Sequence, residues 1–159
     1  MHPNGLMLEN LHFVKGLDPV ADAFAATVAS DVVNMKDYES VVFVYYKGVG
    51  TTGTSTLTVE ACSDVTPSAT SAIPFWYKAI TSGDTEGTLT RATASGFVTT
   101  AGSSQLYALE VRAADLLASG YQYVRTKAVE SVDAAVLGGI LLIQAKPRHP
   151  QPQLPSSIT

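Results

Sequence analysis

Apolar and polar positions recur along this chain with the period of short strands. SVVFVYY, from Ser40 to Tyr46, is dense in β-branched and aromatic residues and predicts a strand. STLTVEACSD, from Ser55 to Asp64, sets Leu57, Val59 and Ala61 against Thr56, Thr58 and Glu60, the period of two of a half-buried strand. Two strands joined by the Gly/Thr-rich loop between them predict a hairpin. Further along, PFWYKAI (Pro74 to Ile80) predicts a strand, SGDTEG a turn, and TLTRATASGFVTT a strand whose Ser95-Gly96 marks a bulge. QLYALEVRA places Tyr107, Leu109 and Val111 on one face and Ala108, Glu110 and Arg112 on the other. ADLLASG has room for one helical turn capped by Gly120, and YQYVRTKAVES and AVLGGILLIQA predict two closing strands.

Seven or eight short strands with no long helical pattern between them predict an all-β domain, an antiparallel β-sandwich or jelly-roll-like fold, over residues 30–146. Residues 1–29 are expected to form an extended N-terminal arm leading into a first strand at about Ser30 to Lys36. Val20, Phe24 and Val28 fall four apart after Asp18-Pro19, as in a short helix, while Thr27, Val28, Val32 and Val33 favour extended chain. Residues 147–159 carry four prolines in thirteen positions. That composition predicts an extended tail outside any sheet interior.

Composition narrows the function classes. Hydrophobic residues make up 46% of the 159 and charged residues 15%, the balance of a folded domain with a lightly charged surface. A net charge of −4, with ten scattered Lys and Arg, gives no basic stripe for nucleic acid. The apolar run from Ala134 to Ile143 falls short of the ~20 residues of a membrane-spanning helix, and no secretory leader is evident. The lone Cys62 excludes an internal disulfide and a cysteine-built zinc site, and is expected as a small buried thiol.

Candidate chemistry is sparse. GVGTTG (Gly48 to Gly53) matches the glycine spacing of dinucleotide-binding loops, yet a strand instead of a helix follows it, and SAIPF stands where the ribose-binding acid belongs. His2, His12 and His149 all lie in the terminal arms, where a general base is poorly held. Asp84 and Glu86 fall short of a calcium cage and suit a hairpin turn. No G-x-S-x-G elbow accompanies the many serines. No cofactor, metal, small-molecule substrate or enzymatic activity is expected. Phe75 and Tyr77 share a face opposite Trp76; a core tryptophan is the favoured expectation, and an outward ring that stacks on a sugar or anchors a protein the alternative.

The order of these segments resembles a known group. VVFVYYKGVG, GTSTLTVEACSD, AIPFWYK, LYALEVRAADLLASGYQYVRTKAVES and a closing apolar strand with PRHP together look like small structural proteins of tailed bacteriophages, over roughly Phe13 to Pro150. The resemblance rests on a pattern of strands and turns and implies a capsid cement or decoration protein on the virion surface, assembled in the host cytoplasm. The implied partners are the major capsid protein and further copies of the chain. No residue matches a known capsid contact, so contacts are assigned to the arms: Leu11, Phe13 and Phe24 before the domain, Pro147, His149, Pro152 and Leu154 after it. A tail or connector component is the alternative within the virion. A carbohydrate-binding module is the alternative outside it and requires Trp76, Tyr77, Tyr121 and Tyr123 to line one groove.

Overall fold

A computed structural model describes residues 5–149 and 153–158. The alternation of β-branched and aromatic residues with polar ones produces twelve strands in two antiparallel sheets, an all-β sandwich. The first sheet, sheet A, contains β1 (Leu11–Val20), β4 (Tyr38–Gly50), β7 (Phe75–Ile80), β8 (Thr90–Ala92), β10 (Gln105–Arg112) and β12 (Val136–Pro147), in the order β1-β12-β4-β10-β7-β8. Sheet B contains β2 (Thr27–Ala29), β11 (Tyr123–Val132), β5 (Thr54–Cys62) and β6 (Thr70–Ile73) in that order. Two short pieces join sheet B: β3 (Val33–Asn34) pairs with β11, and β9 (Phe97–Val98) with β5.

The core lies between the sheets. Phe43 and Tyr45 of β4, Leu109 of β10 and Leu142 of β12 point inward from sheet A, and Leu57 and Val59 of β5 meet them from sheet B. Rings bridge the layers near β9: Phe97 stacks on Tyr77 with centroids 3.8 Å apart and meets Phe75 and Tyr107 at 6.2 and 5.8 Å. Ring pairs of this kind add to the area term about 0.5–1.5 kcal/mol each. Lys47 is buried at the same end, where its Nζ donates to the Thr100 carbonyl at 2.8 Å and to Gln105 Oε1 at 3.1 Å. Burial lowers its pKa; the Thr100 acceptor fastens the 99–104 loop to β4, and Gln105 ties β4 to the start of β10.

Most connections cross between the sheets; only β2 to β3, β5 to β6 and β7 to β8 stay within one. This corrects the expected hairpin at the glycine-rich loop. β4 and β5 are both strands, but β4 pairs with β10 and β12 while β5 pairs with β6, β9 and β11, so residues 51–53 turn a corner between layers. Ser95-Gly96 likewise is no bulge. Thr93 to Gly96 forms a turn, closed by the Gly96 N–H on the Thr93 carbonyl, that carries the chain from β8 to β9. Gly96 has φ +75°, and a Cβ there would sit 1.9 Å from the Leu57 carbonyl oxygen, so glycine is required. Pro74 alone separates β6 in sheet B from β7 in sheet A.

The N-terminal segment is part of the sandwich. β1 pairs with β12 from Leu11↔Ala145 to Val20↔Gly138, with register shifts on either side of Leu17. As an edge strand it tolerates Gly16 and Pro19, the residues that weaken its strand signal in sequence. Residues 21–26 form turns instead of a helix, and Ser30 to Lys36 contributes only the short β3. The C-terminal segment is also engaged. Pro147 pairs with Tyr38 at the end of β12, Asn34 N–H donates to the Ser157 carbonyl at 2.8 Å, and Tyr38 OH donates to the Pro155 carbonyl at 2.7 Å. The 3-10 turn Ala113–Ser119 ends on Gly120 in the left-handed region, as the Gly120 cap predicts.

Candidate functional site

The outer faces of the two sheets differ in chemistry. On sheet B, β5 presents Thr54, Thr56, Thr58 and Glu60 outward, and β11 sets Arg125 and Lys127 beside them. Arg125 reaches Glu60 Oε2 at 2.9 Å and Lys127 binds Oε1, so one buried carboxylate is held by two cations. Burial acts to raise the Glu60 pKa, but hydrogen bonds and charge from Lys127 and Arg125 outweigh it and hold the carboxyl below its ordinary value. The charges of this face are satisfied within the chain, although the Thr58 hydroxyl is buried without a partner and Val98 and Val129 flank Thr56.

On sheet A the outward positions are mostly apolar. Cross-strand registers align Phe13, Ile143 and Val42 in one row that ends on Glu110, then Leu141, Val44 and Ala108 between Lys15 and Lys78 at the two ends, then Tyr46, Leu106 and Ile80. Phe13 is 46% exposed and Tyr46 65%. The four long strands β1, β12, β4 and β10 at about 4.8 Å spacing and eight residues at about 3.3 Å rise give a face on the order of 500 Å². Where β1 shifts register, a trough of about 460 Å³ opens between Leu17, Pro19, Tyr46, Leu106 and Leu137, with the charged residues Lys15 and Asp18 also lining it. Gly48 and Gly139 lie along it and supply no side chain to fill it.

The expected contact residues are dispersed. Phe13 lies on this apolar face, with Leu11 half-buried at the start of the same strand. Phe24 is spent inside the chain, buried against Tyr45 with ring centroids 5.7 Å apart. Pro147 is buried, Leu154 packs partly buried against the core, and His149 is exposed. Pro152, like His2, lies outside the described residues. His12 stacks on Tyr38 at 5.7 Å, and burial lowers its pKa.

The aromatic residues required for a sugar groove do not converge. Trp76 is no core residue: it lies half-buried in the outward row of Glu110 and Arg91, with the Arg91 guanidinium 5.5 Å from its ring centre. Phe75 and Tyr77 take the inward positions expected of it. Tyr121 and Tyr123 line a separate depression beside Leu117 and Gly120. Glu86 of the acidic turn pairs with Lys78. Cys62 is buried and its thiol pushed up to about 11, chiefly by burial, which keeps it protonated and unreactive at neutral pH. Among the described residues no group of three or more His, Cys, Asp or Glu side chains is placed to hold a metal, and no helix is long and apolar enough to cross a membrane.

Sequence reasoning missed the outer face of sheet A, although β4 and β12 carry the signal. Both are apolar at inward and outward positions alike, the mark of a strand covered on two sides.

No family model and no curated protein matches the chain. Among solved structures it is similar to that of infectious bursal disease virus, Gx strain, at 12% identity and a TM-score of 0.25, covering 86% of this chain and 42% of that one. It is also similar to a mutant VP2 protein of infectious bursal disease virus in T=1 particles, at 10% identity and a TM-score of 0.26, covering 86% and 40%. The chain thus spans about two fifths of the length of each. Likeness of that order does not define a shared fold.

Proposed function

We propose that this chain is a non-enzymatic structural protein of a tailed-bacteriophage virion, a cement or decoration protein that lies on the head shell through the outer face of sheet A. The observation that supports this reading is the contrast between an apolar outer face on one sheet and a polar, ion-paired outer face on the other. It agrees with the segment order that resembles phage cement proteins. Covering about 400 Å² of apolar surface gives on the order of 10 kcal/mol gross. The cost of association is about 4–15 kcal/mol, so one copy holds weakly. A shell lattice binding many copies together turns that modest contact into durable reinforcement.

The test is co-sedimentation with heads assembled from the major capsid protein of the phage that carries the chain. Wild type should pellet with the heads, and Phe13→Asp should stay in the supernatant while keeping the wild-type circular dichroism. Failure of wild type to bind, or undiminished binding by Phe13→Asp, overturns the reading. Electron microscopy of the decorated particles separates a head coat from a tail or connector ring. Removing residues 1–29 is the wrong experiment, because it deletes β1 from sheet A.

A further inference from the structure

The segment just before β1 displays three consecutive apolar side chains: Leu6 is 74% exposed, Met7 76% and Leu8 69%. Exposed apolar runs of this length are disfavoured in a soluble domain unless they meet something. The segment is also ordered. Met7–Asn10 forms a 3-10 turn in which Glu9 N–H donates to the Leu6 carbonyl at 3.0 Å, and the Glu9 carboxylate accepts from Leu6 N–H at 2.9 Å. The Asn10 side chain donates to the same Leu6 carbonyl at 3.2 Å. The three side chains are therefore presented as a fixed knob.

The trough on sheet A is the matching socket, and a chain cannot fill its own. The knob precedes Leu11, whereas the trough opens at Leu17 and Pro19. At about 3.3 Å per residue the two lie roughly 20 Å apart along β1, and the turn pins the knob at the far end. Charge sets the direction of the contact. Glu9 is exposed beside the knob, the trough carries two exposed charges, Lys15 and Asp18, and none of the ion pairs among the described residues involves either, so Glu9 is drawn to the Lys15 end and away from Asp18.

We propose that the Leu6-Met7-Leu8 knob of one copy seats in the Tyr46–Leu137 trough of the next, with Glu9 facing Lys15, so that copies associate head to tail. Such a contact uses two different patches and leaves one of each free at the ends, so it propagates or closes into a ring. The inference does not depend on what the rest of sheet A adheres to. A single knob is small, so association is weak in solution and strengthens when neighbours are held side by side.

Sedimentation equilibrium of the full chain tests it with two variants whose substitutions are all on exposed side chains: the knob variant Leu6→Asp with Met7→Asp, and the trough variant Tyr46→Asp with Leu137→Asp. Wild type should associate with rising concentration. Each variant alone should need about tenfold or more higher concentration to do so, a factor that corresponds to about 1.4 kcal/mol. Mixed one to one, the variants should form a dimer and stop, because together they hold one intact knob and one intact trough. A wild type that stays monomeric at every attainable concentration overturns the proposal, as do variants that associate like wild type. A mixture with no dimer also overturns it, since a face-to-face contact would behave in that way. If the trough variant melts below wild type, Lys15→Glu replaces it: association should weaken and be restored by pairing with Glu9→Lys. Head binding is read separately, and its failure in every form would overturn the shell reading alone.

Discussion

The two outer faces of this sandwich are built from strands of similar length, yet they solve opposite problems. The Glu60, Arg125 and Lys127 cluster on sheet B satisfies its charges within the chain, and beside it Thr56 bonds the Ser131 hydroxyl. Phe13, Leu141 and Tyr46 on sheet A are apolar side chains left facing water, with Val44 half-buried among them. Polar satisfaction and apolar display on the same small domain separate the part that stabilises the fold from the part available for adhesion. Damage to sheet B should therefore register in unfolding, and damage to the face of sheet A in association.

Four experiments put that division at risk. The largest effect is expected at the corner that joins the layers. Gly96→Val forces a side chain against the Leu57 carbonyl at a positive φ and should cost more than about 4 kcal/mol, read as loss of the folded state by circular dichroism. Next, Glu60→Ala leaves two partly buried cations side by side and should lower urea-unfolding stability by roughly 2–4 kcal/mol, while head binding stays unchanged. Lost head binding in that variant would break the division.

The third effect is a dependence on acid. The Glu60 carboxyl is depressed in the folded chain relative to its ordinary 4.5, so its contribution is present above that pH and disappears as pH falls through the lower folded value. Thermal melting between pH 5 and pH 3, both about these reference values, should fall more steeply for wild type than for Glu60→Gln. Parallel curves would remove the carboxylate from the account. The smallest effect on stability belongs to the apolar face: Tyr46→Ser should shift unfolding by no more than about 0.5 kcal/mol. It should nevertheless lower the binding of a fluorescent apolar dye; an unchanged dye signal would show that the trough does not present its apolar lining to solvent.

The sequence makes the strands legible and their partners much less so. Leu57, Val59 and Ala61 against Thr56, Thr58 and Glu60 state which side of β5 faces the core, and Tyr107, Leu109 and Val111 do the same for β10. A period of two says nothing about which strand lies alongside. β4 and β5 therefore read as a hairpin although they occupy different sheets, with residues 51–53 bridging the layers. β1 is obscured by Gly16 and Pro19, which an edge strand accommodates and an isolated pattern does not reveal. Trp76 shows a different limit. Alternation places it opposite Phe75 and Tyr77, but only the pairing with Glu110 and Arg91 tells which of the two sides is outside. The apolar face itself is written in β4 and β12, whose unbroken hydrophobic runs mark strands needing cover on both sides.

The crossing of Pro74, with β6 in one layer and β7 in the other, has a mechanical meaning. A tug on sheet A along its plane is carried into sheet B by covalent backbone at this point, at residues 51–53 and at the Gly96 turn. The layers cannot slip past one another merely by sliding side chains. A force applied to one face of the sandwich is therefore shared by both layers through the backbone as well as through the packed core.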